Sequence, residues 1–430
     1  MPARTIGAAP EPELALDQGD DDRMSSSRIR RRTVLKGVAA AVALPFLPTI
    51  LRAQQGPVRI GELNSYSRMA AFCGPYRNAM QLALEEINAK GGVLGGRPLE
   101  IVFRDDGGTP GDASRVAEEL LTRENVIFLA GTFLSNVGLA VADFANQRKT
   151  LFLATEPLTD ALTMAQGNPF TFRVRPSTYM QTKMLVEEVK GKGIKRWALV
   201  APNYEYGQSA VANFKTLMGA AVPGAEFVTE QFPALGKVDA GATVGALLQA
   251  KPDAIFNALF GADLLPFVRE GNTRGLFERR TVASLLTGEP EYLLPLGEET
   301  PEGWIVTGYP WAEIDSAGHK AFVTAYQAKF ADTPRMGSLL GYVVGHMIKD
   351  LIDKAASTET EAFLKTLPGM TFETVVGKVT MRGLDHQSTF GTWVGETTLK
   401  GNTPGMKNWK YADGVNYLFP EAEVKAARKA

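Results

Sequence analysis

Cysteine is nearly absent. Cys73 is the only one in 430 residues, which excludes an intramolecular disulfide and any metal site built on cysteine pairs. Histidine is almost as scarce: none of His319, His346 and His386 has a second histidine at i+4 to make a helical zinc pair, so metal catalysis is not expected. Charge of either sign is in little excess, with 46 basic residues against 47 acidic ones and a net charge of -1. No basic tract occurs beyond the N-terminal region, so the chain offers no electrostatic footprint for nucleic acid. A membrane-spanning run is missing too. The apolar stretch Gly37 to Leu51 is shorter than the roughly 20 residues a spanning helix needs, and Pro45 and Pro48 interrupt it.

What is present is the composition of an ordinary globular protein, 45% hydrophobic and 22% charged, long enough for about two or three domains. The stretch Arg28 to Gln55, RIRRRTVLKGVAAAVALPFLPTILRAQQ, runs from basic to apolar to small and polar, the order of a cleavable secretory signal with a cut after Ala53. Arg31 and Arg32 ahead of Thr33, Val34, Leu35 and Lys36 resemble a twin-arginine export signal. Val34 stands where phenylalanine is usual, and a Sec signal with extra arginines is the alternative. Residues 1–53 are therefore read as a leader, with Met24 as the expected start, because Met1 to Arg23 is acidic and irregular. The absence of a cysteine after the apolar run excludes a lipoprotein anchor. A soluble periplasmic protein is expected.

From Pro57 onward short apolar runs alternate with helical patterns. VRIGEL (Val58 to Leu63) and LEIVFRDD (Leu99 to Asp106) read as strands. Between them Tyr76, Met80, Ala83, Leu84 and Ile87 recur at helical spacing, stopped by Gly91 and Gly92. The alternation continues with helix Ala113 to Thr122, strand Val126 to Leu129, helix Asn136 to Ala145 and strand Leu151 to Ala154. A second series runs from strand Trp197 to Ala201 to strand Ala254 to Asn257. Such interleaving predicts an α/β chain with parallel sheets covered on both faces, in two lobes.

Ligands of open α/β sheets lie beyond the carboxyl ends of the strands. That rule selects Ser65 to Phe72, Gly131 to Ser135, Thr155 to Leu158, Asn203 to Tyr206 and Phe260 to Asp263. Catalytic patterns are lacking among them. GGVLGG (Gly91 to Gly96) has no Gly-Lys-Ser/Thr ending and reads as a turn. GQSAV around Ser209 lacks the second glycine of a nucleophile elbow, and Asp105 with Asp106 reads as a solvated turn.

Several stretches together resemble one family. LALEEINAKGGVLGGRPLEIVFRDDGGTPGDA (Leu82 to Ala113), GTFLS (Gly131 to Ser135), FTFRVRPS (Phe170 to Ser177), YEYGQ (Tyr204 to Gln208), KPDAIF (Lys251 to Phe256) and PEGW (Pro301 to Trp304) are similar to the periplasmic solute-binding proteins of ABC transporters, in the branched-chain amino acid and amide-binding, leucine-binding-protein-like branch. The resemblance spans about Val58 to Val394. It implies a type I periplasmic binding protein: two Rossmann-like lobes joined by a three-strand hinge, closing on a small solute and delivering it to an inner-membrane ABC permease. The lobes would be residues 58–176 with 308–387, and 177–307 with 388–430. No cofactor, metal or catalytic residue is implied.

In amino-acid-binding members, a serine after Gly-x-x-x and the next strand's loop clamp the carboxylate, while an acidic residue of the second lobe holds the ammonium. Ser135 matches the serine. Glu156 stands where a small residue is usual, and Leu158 where a threonine hydroxyl would point. The place of the acidic residue falls near Leu286, with Glu289 close by as a substitute. Phe72 and Tyr206 match the aromatic walls, and Phe260 lies near another. An uncompensated Glu156 would repel a carboxylate about 4 Å away by several kcal/mol. A small apolar or aromatic solute, with a hydroxyl, amide or amine on Ser135 and Glu156, is expected in place of a standard α-amino acid. The alternatives are plain core for Phe72 and Phe260, and a solvent-facing Glu156. For the whole chain the competing reading is a periplasmic sensor subunit that feeds a signalling partner. A periplasmic enzyme would need a nucleophile or metal constellation that the sequence does not show.

Overall fold

The computed structural model describes residues 56–428, so the leader and its export signal lie outside the described residues. Val58 and Ile60, on the core face of the first strand, start a parallel sheet of β1 (Val58–Asn64), β2 (Leu99–Asp105), β3 (Leu129–Gly131), β4 (Phe152–Ala154) and β5 (Thr171–Arg173). The strand order β2-β1-β3-β4-β5 leaves the carboxyl ends of β1, β3 and β4 side by side. The crossovers are α1 (Ala70–Ala89), α2 (Pro110–Arg123) and α3 (Ser135–Arg148). Local chemistry sets their ends: Thr109 caps α2 by accepting the N–H of Asp112 at 3.3 Å, with Pro110 at the first helical position.

A second sheet follows the same logic. Its parallel strands are β6 (Arg196–Val200), β7 (Glu226–Gln231), β8 (Ala254–Asn257), β9 (Thr281–Gly288) and β10 (Ile305–Gly308). Helices α4 (Thr178–Val189), α5 (Glu205–Ala221), α6 (Ala240–Gln249), α7 (Leu264–Thr273) and the short α8 (Pro290–Leu293) cover it. The chain then returns to the first sheet with α9 (Ala317–Phe330), α10 (Met336–Ala355) and a hairpin of β11 (Thr371–Thr374) and β12 (Gly377–Thr380). It ends on an antiparallel ribbon, β13 (Thr392–Lys400) and β14 (Thr403–Ala412), added to the edge of the second sheet beside β10. This antiparallel edge goes beyond the βα alternation read from the sequence. Beyond it, Phe419 stacks on Tyr179 of α4 with ring centroids 3.7 Å apart, and the Tyr417 hydroxyl donates to Glu187 at 3.1 Å.

Three segments pass between the sheets: Val174–Ser177, the loop after β10, and Gln387–Gly391. The first and last run together. The N–H of Arg173 donates to the His386 carbonyl, and that of Ser388 to the Arg173 carbonyl, both at 2.9 Å. The Gln387 amide reaches the Arg175 carbonyl at 3.1 Å. Buried Arg173 adds bonds from its guanidinium to the Leu158 and Thr159 carbonyls, which pins the loop after β4.

Helices α1 and α10 meet along a stripe of small residues. A Cβ at Gly341 would stand 2.0 Å from the Tyr76 carbonyl oxygen, and one at Gly337 2.4 Å from that of Phe72. Gly345, a further turn along, faces Ala83. The two backbones touch, and no side chain larger than hydrogen fits at Gly337 or Gly341. Among the described residues no helix is long and apolar enough to cross a membrane.

Candidate functional site

The carboxyl ends of β1, β3 and β4 build the first wall. Glu62 and Asn64 continue the inward face of β1 set by Val58 and Ile60, and both are fully buried. Gly131 makes room for them: at φ 108° it sits where a Cβ would lie 2.6 Å from a Glu62 carboxylate oxygen. Thr132 follows at φ 63°, turning the chain so that Phe133 and Ser135 face the second sheet. Ser135 opens α3, and its hydroxyl oxygen accepts the N–H of Thr159 at 3.2 Å, which leaves its O–H free to donate.

Glu156 follows β4 and is 1% exposed, so the solvent-facing alternative for it does not hold. Its carboxylate accepts the Asn64 amide at 3.2 and 3.3 Å and the Thr155 hydroxyl at 3.3 Å. The same Asn64 amide reaches Glu62 at 3.3 Å, and the Tyr66 hydroxyl donates to the other Glu62 oxygen. Two buried carboxylates thus share one amide bridge. Burial pushes the Glu62 carboxyl up to about 8, against the hydrogen bonds from Tyr66 and Asn64. Burial, reinforced by the charge of Glu62, pushes Glu156 well above its ordinary value.

The second wall comes from the other sheet. Tyr204 and Tyr206 stand at the start of α5, Phe260 follows β8, and Leu286 belongs to β9. Leu286 adopts φ 65°, a left-handed conformation unusual for leucine, held by its N–H donating to the Thr307 hydroxyl at 2.8 Å where the β9–β10 register shifts. The position at which an acidic ammonium ligand was looked for is therefore apolar. Its substitute, Glu289, is fully buried and turned to a partner that sequence reasoning did not single out, Arg175.

Arg175 lies two residues past β5, in the first crossing segment. It donates to Glu289 and covers the Phe72 ring at 5.2 Å. Burial opposes its charge, but Glu289, Tyr292 and Glu291 more than offset that and hold the guanidinium above its usual range. Glu289 is pushed up to about 8 by burial, with Arg175 pulling the other way. Among the described residues the second oxygen of Glu289 and the hydroxyls of Tyr206 and Tyr292 have no hydrogen-bond partner. These are buried groups, and each points to an unmet partner. Two positions on, Glu291 of α8 accepts the N–H groups of Met336 and Gly337 at 3.0 and 2.8 Å, joining the second sheet's side to the start of α10.

Phe133, Ser135, Glu156, Leu158, Arg175, Tyr204, Tyr206, Phe260 and Leu286 surround a narrow cavity of about 10 Å³ between the lobes, room for about one water molecule. Six of the seven residues singled out from the sequence are among them. The seventh, Phe72, packs on Phe133 at 4.9 Å and lines a larger outer space of about 350 Å³ with Arg68, Leu235, Phe260 and Tyr292. The rings form a chain: Phe133 to Phe260 at 6.1 Å, then Phe260 to Tyr206 at 5.6 Å and to Tyr292 at 5.7 Å. Phe72 and Phe260 are buried, as plain core would be, yet both border empty space. Arg175 lines the same cavity and partly opposes the rise of the Glu156 carboxyl, but its ion pair is with Glu289. The signals for the missed residues were in the sequence. Glu62 is a charge on the inward face of VRIGELN, and Arg175 a second charge in FTFRVRPS, where a buried strand end leaves no solvent to take it.

Comparison with known proteins places this geometry. The model of the periplasmic binding protein family matches residues 57–402. The Leu/Ile/Val-binding protein homolog 7 of Brucella suis biovar 1 is 26% identical over 345 residues, which is 75% of this chain and 83% of that protein. Homolog 4 of Brucella melitensis is 24% identical over 383 residues, covering 84% of this chain and 88% of the relative. Among solved structures, a solute-binding protein of an ABC transporter from Rhodopseudomonas palustris BisB5, in complex with 3,4-dihydroxybenzoic acid, superposes with a TM-score of 0.75 at 22% identity, covering 83% of this chain and 98% of that one. The leucine-, isoleucine-, valine-, threonine- and alanine-binding protein of Brucella ovis, in a closed conformation, gives 0.73 at 21%, covering 85% and 97%. At these identities the structural likeness is one of fold.

Proposed function

Because the chain belongs to the periplasmic binding protein family, we propose that it is the solute-binding component of an ABC importer, which traps a small solute between its lobes and hands it to an inner-membrane permease. The observation that carries this reading is the cavity bounded by side chains of both sheets, with buried polar groups whose bonds are unmet. Residues 58–176 with 308–387 and residues 177–307 with 388–430 act as the two closing bodies, and the three crossing segments as the hinge. The solute contacts both bodies when they close, so its binding favours the closed population. Family membership puts the working protein in the periplasm, and the leader ahead of Gln54 is its export signal.

The solute is a small, largely apolar or aromatic molecule. Phe133, Phe260 and Tyr206 supply its walls, and Ser135 with Glu156 takes its polar group. A thermal-shift screen of amino acids, amides, aromatic acids, alcohols and amines tests this, since a ligand of the folded form raises Tm through RT ln(1 + [L]/Kd). A stabilising compound that also reduces the radius of gyration supports the receptor reading, and Glu156→Ala should weaken its binding by about tenfold or more. Unchanged affinity in that variant removes Glu156 from the site. Stabilisation by leucine or valine alone means that Glu156 and Leu158 do not select against α-amino acids.

A further inference from the structure

We propose that the recognised group of the solute is a cationic nitrogen, which replaces a proton held by the buried Glu62–Asn64–Glu156 cluster, so that binding releases a proton. The inference rests on the solute-receptor reading and sharpens it to amine-bearing apolar compounds.

The argument is one of neutralisation. Four carboxylates gather at the inner cleft, and each buried charge needs a partner or a proton. Glu289 has Arg175, and Glu291 has two N–H groups at the start of α10. Glu62 and Glu156 have only the Asn64 amide and the hydroxyls of Tyr66 and Thr155. Among the described residues neither makes an ion pair. The groups facing them from every side do not supply one. From α1 come Cys73 and Tyr76, which are neutral, and Arg77, which lies over the Tyr66 and Phe103 rings at 5.6 and 5.0 Å. From the end of β2 comes Asp106, another acid. From the hinge comes Arg175, already committed to Glu289. An empty cluster must therefore keep a proton.

Glu156 lines the cavity, and the Ser135 hydroxyl stands beside it. An ammonium there donates to the Glu156 carboxylate while its apolar body lies against Phe133, Phe260 and Tyr206, whose rings touch one another in this structure and part as the lobes open to admit it. The carboxylic proton leaves to solvent, and one positive charge replaces another. A carboxylate in the same place would meet an acid cluster whose one adjacent guanidinium is occupied.

The experiment is calorimetry of the purified protein with benzylamine and benzoate, in phosphate and in Tris at about pH 7. The difference in heat between the buffers should report about one proton released per benzylamine bound. Affinity should rise by up to about tenfold per pH unit between about pH 6 and 8, and benzoate should bind at least about tenfold more weakly. Glu156→Gln, which keeps the size of the side chain, should abolish the proton release and lower benzylamine affinity by about tenfold or more. The wild-type measurement stands even if that variant folds poorly. Benzoate binding more tightly than benzylamine, benzylamine binding without proton release, or no benzylamine binding at all overturns the proposal. If another solute then closes the lobes, the receptor reading survives alone. If nothing in the wider screen changes Tm or the radius of gyration, both fall.

Discussion

On the hinge side of the cleft, Glu289 is buried against a guanidinium; on the wall built by β1 and β4, Glu62 and Glu156 are buried against each other with an amide between them. Both groups are out of water, and both carry carboxyls raised by burial. The difference lies in where the balancing positive charge comes from. Arg175 belongs to the crossing segment, so the Arg175–Glu289 pair ties that segment to the second sheet. The Glu62–Glu156 cluster has no such internal partner and borders the cavity through Glu156. An ion pair of the first kind fixes geometry, and an unbalanced cluster of the second kind is free to respond to what enters.

Breaking the balanced side should have the largest effect. Arg175→Met leaves Glu289 buried without its cation, a change expected to destabilise the protein by about 3–5 kcal/mol in urea unfolding. Removing both charges, as R175M with E289L, should recover most of that loss. A single variant as stable as the parent would erase the contrast between the two sides. Glu291→Ala comes next. It leaves two N–H groups of α10 without an acceptor, and about 1–2 kcal/mol of the contact between the second sheet's side and α10 should go with it. Small-angle scattering of the solute-free variant should then show a larger radius of gyration.

The smallest effect sharpens the comparison through pH. Glu62 keeps its proton up to about 8 in the folded protein, against 4.5 as the ordinary value. Between these values the folded state binds more protons than the unfolded one, so stability falls as pH rises. Buried His319 and half-buried His386, both lowered to about 4 from 6.5, act in the opposite direction, because there the unfolded chain binds the extra protons and stability falls with decreasing pH. Above pH 6.5 the histidines are silent and Glu62 contributes a slope of about 1 kcal/mol per pH unit. Glu62→Gln should reduce that slope in solute-free protein.

The sequence made the βα series legible because strands such as AIFN and helices such as the one through Met80 and Ile87 are local patterns, readable from spacing alone. The ribbon of β13 and β14 was not legible in the same way. Its pairing partner, β10, lies over eighty residues earlier, with Ile305 opposite Glu396, and no local spacing encodes that meeting. The site divides along the same line. Ser135, Glu156 and Tyr206 follow strands or open helices, where the topology itself points to them. Glu62 and Arg175 are charges within or just past strands, and what they do depends on partners 94 and 114 residues away. Glu62 meets Glu156 only through Asn64, and Arg175 meets Glu289 only across the hinge. Leu286 illustrates the limit of a position-by-position count, since a left-handed turn and a register shift move the acid to Glu289.

The stripe of Gly337, Gly341 and Gly345 makes one more thing follow. Because the backbones of α1 and α10 are in direct contact, Phe72 near one end of α1 and the Glu291-bound amides at the start of α10 ride on a single stiff lever. Withdrawing the ring from the cleft and unhooking Glu291 are then the same movement.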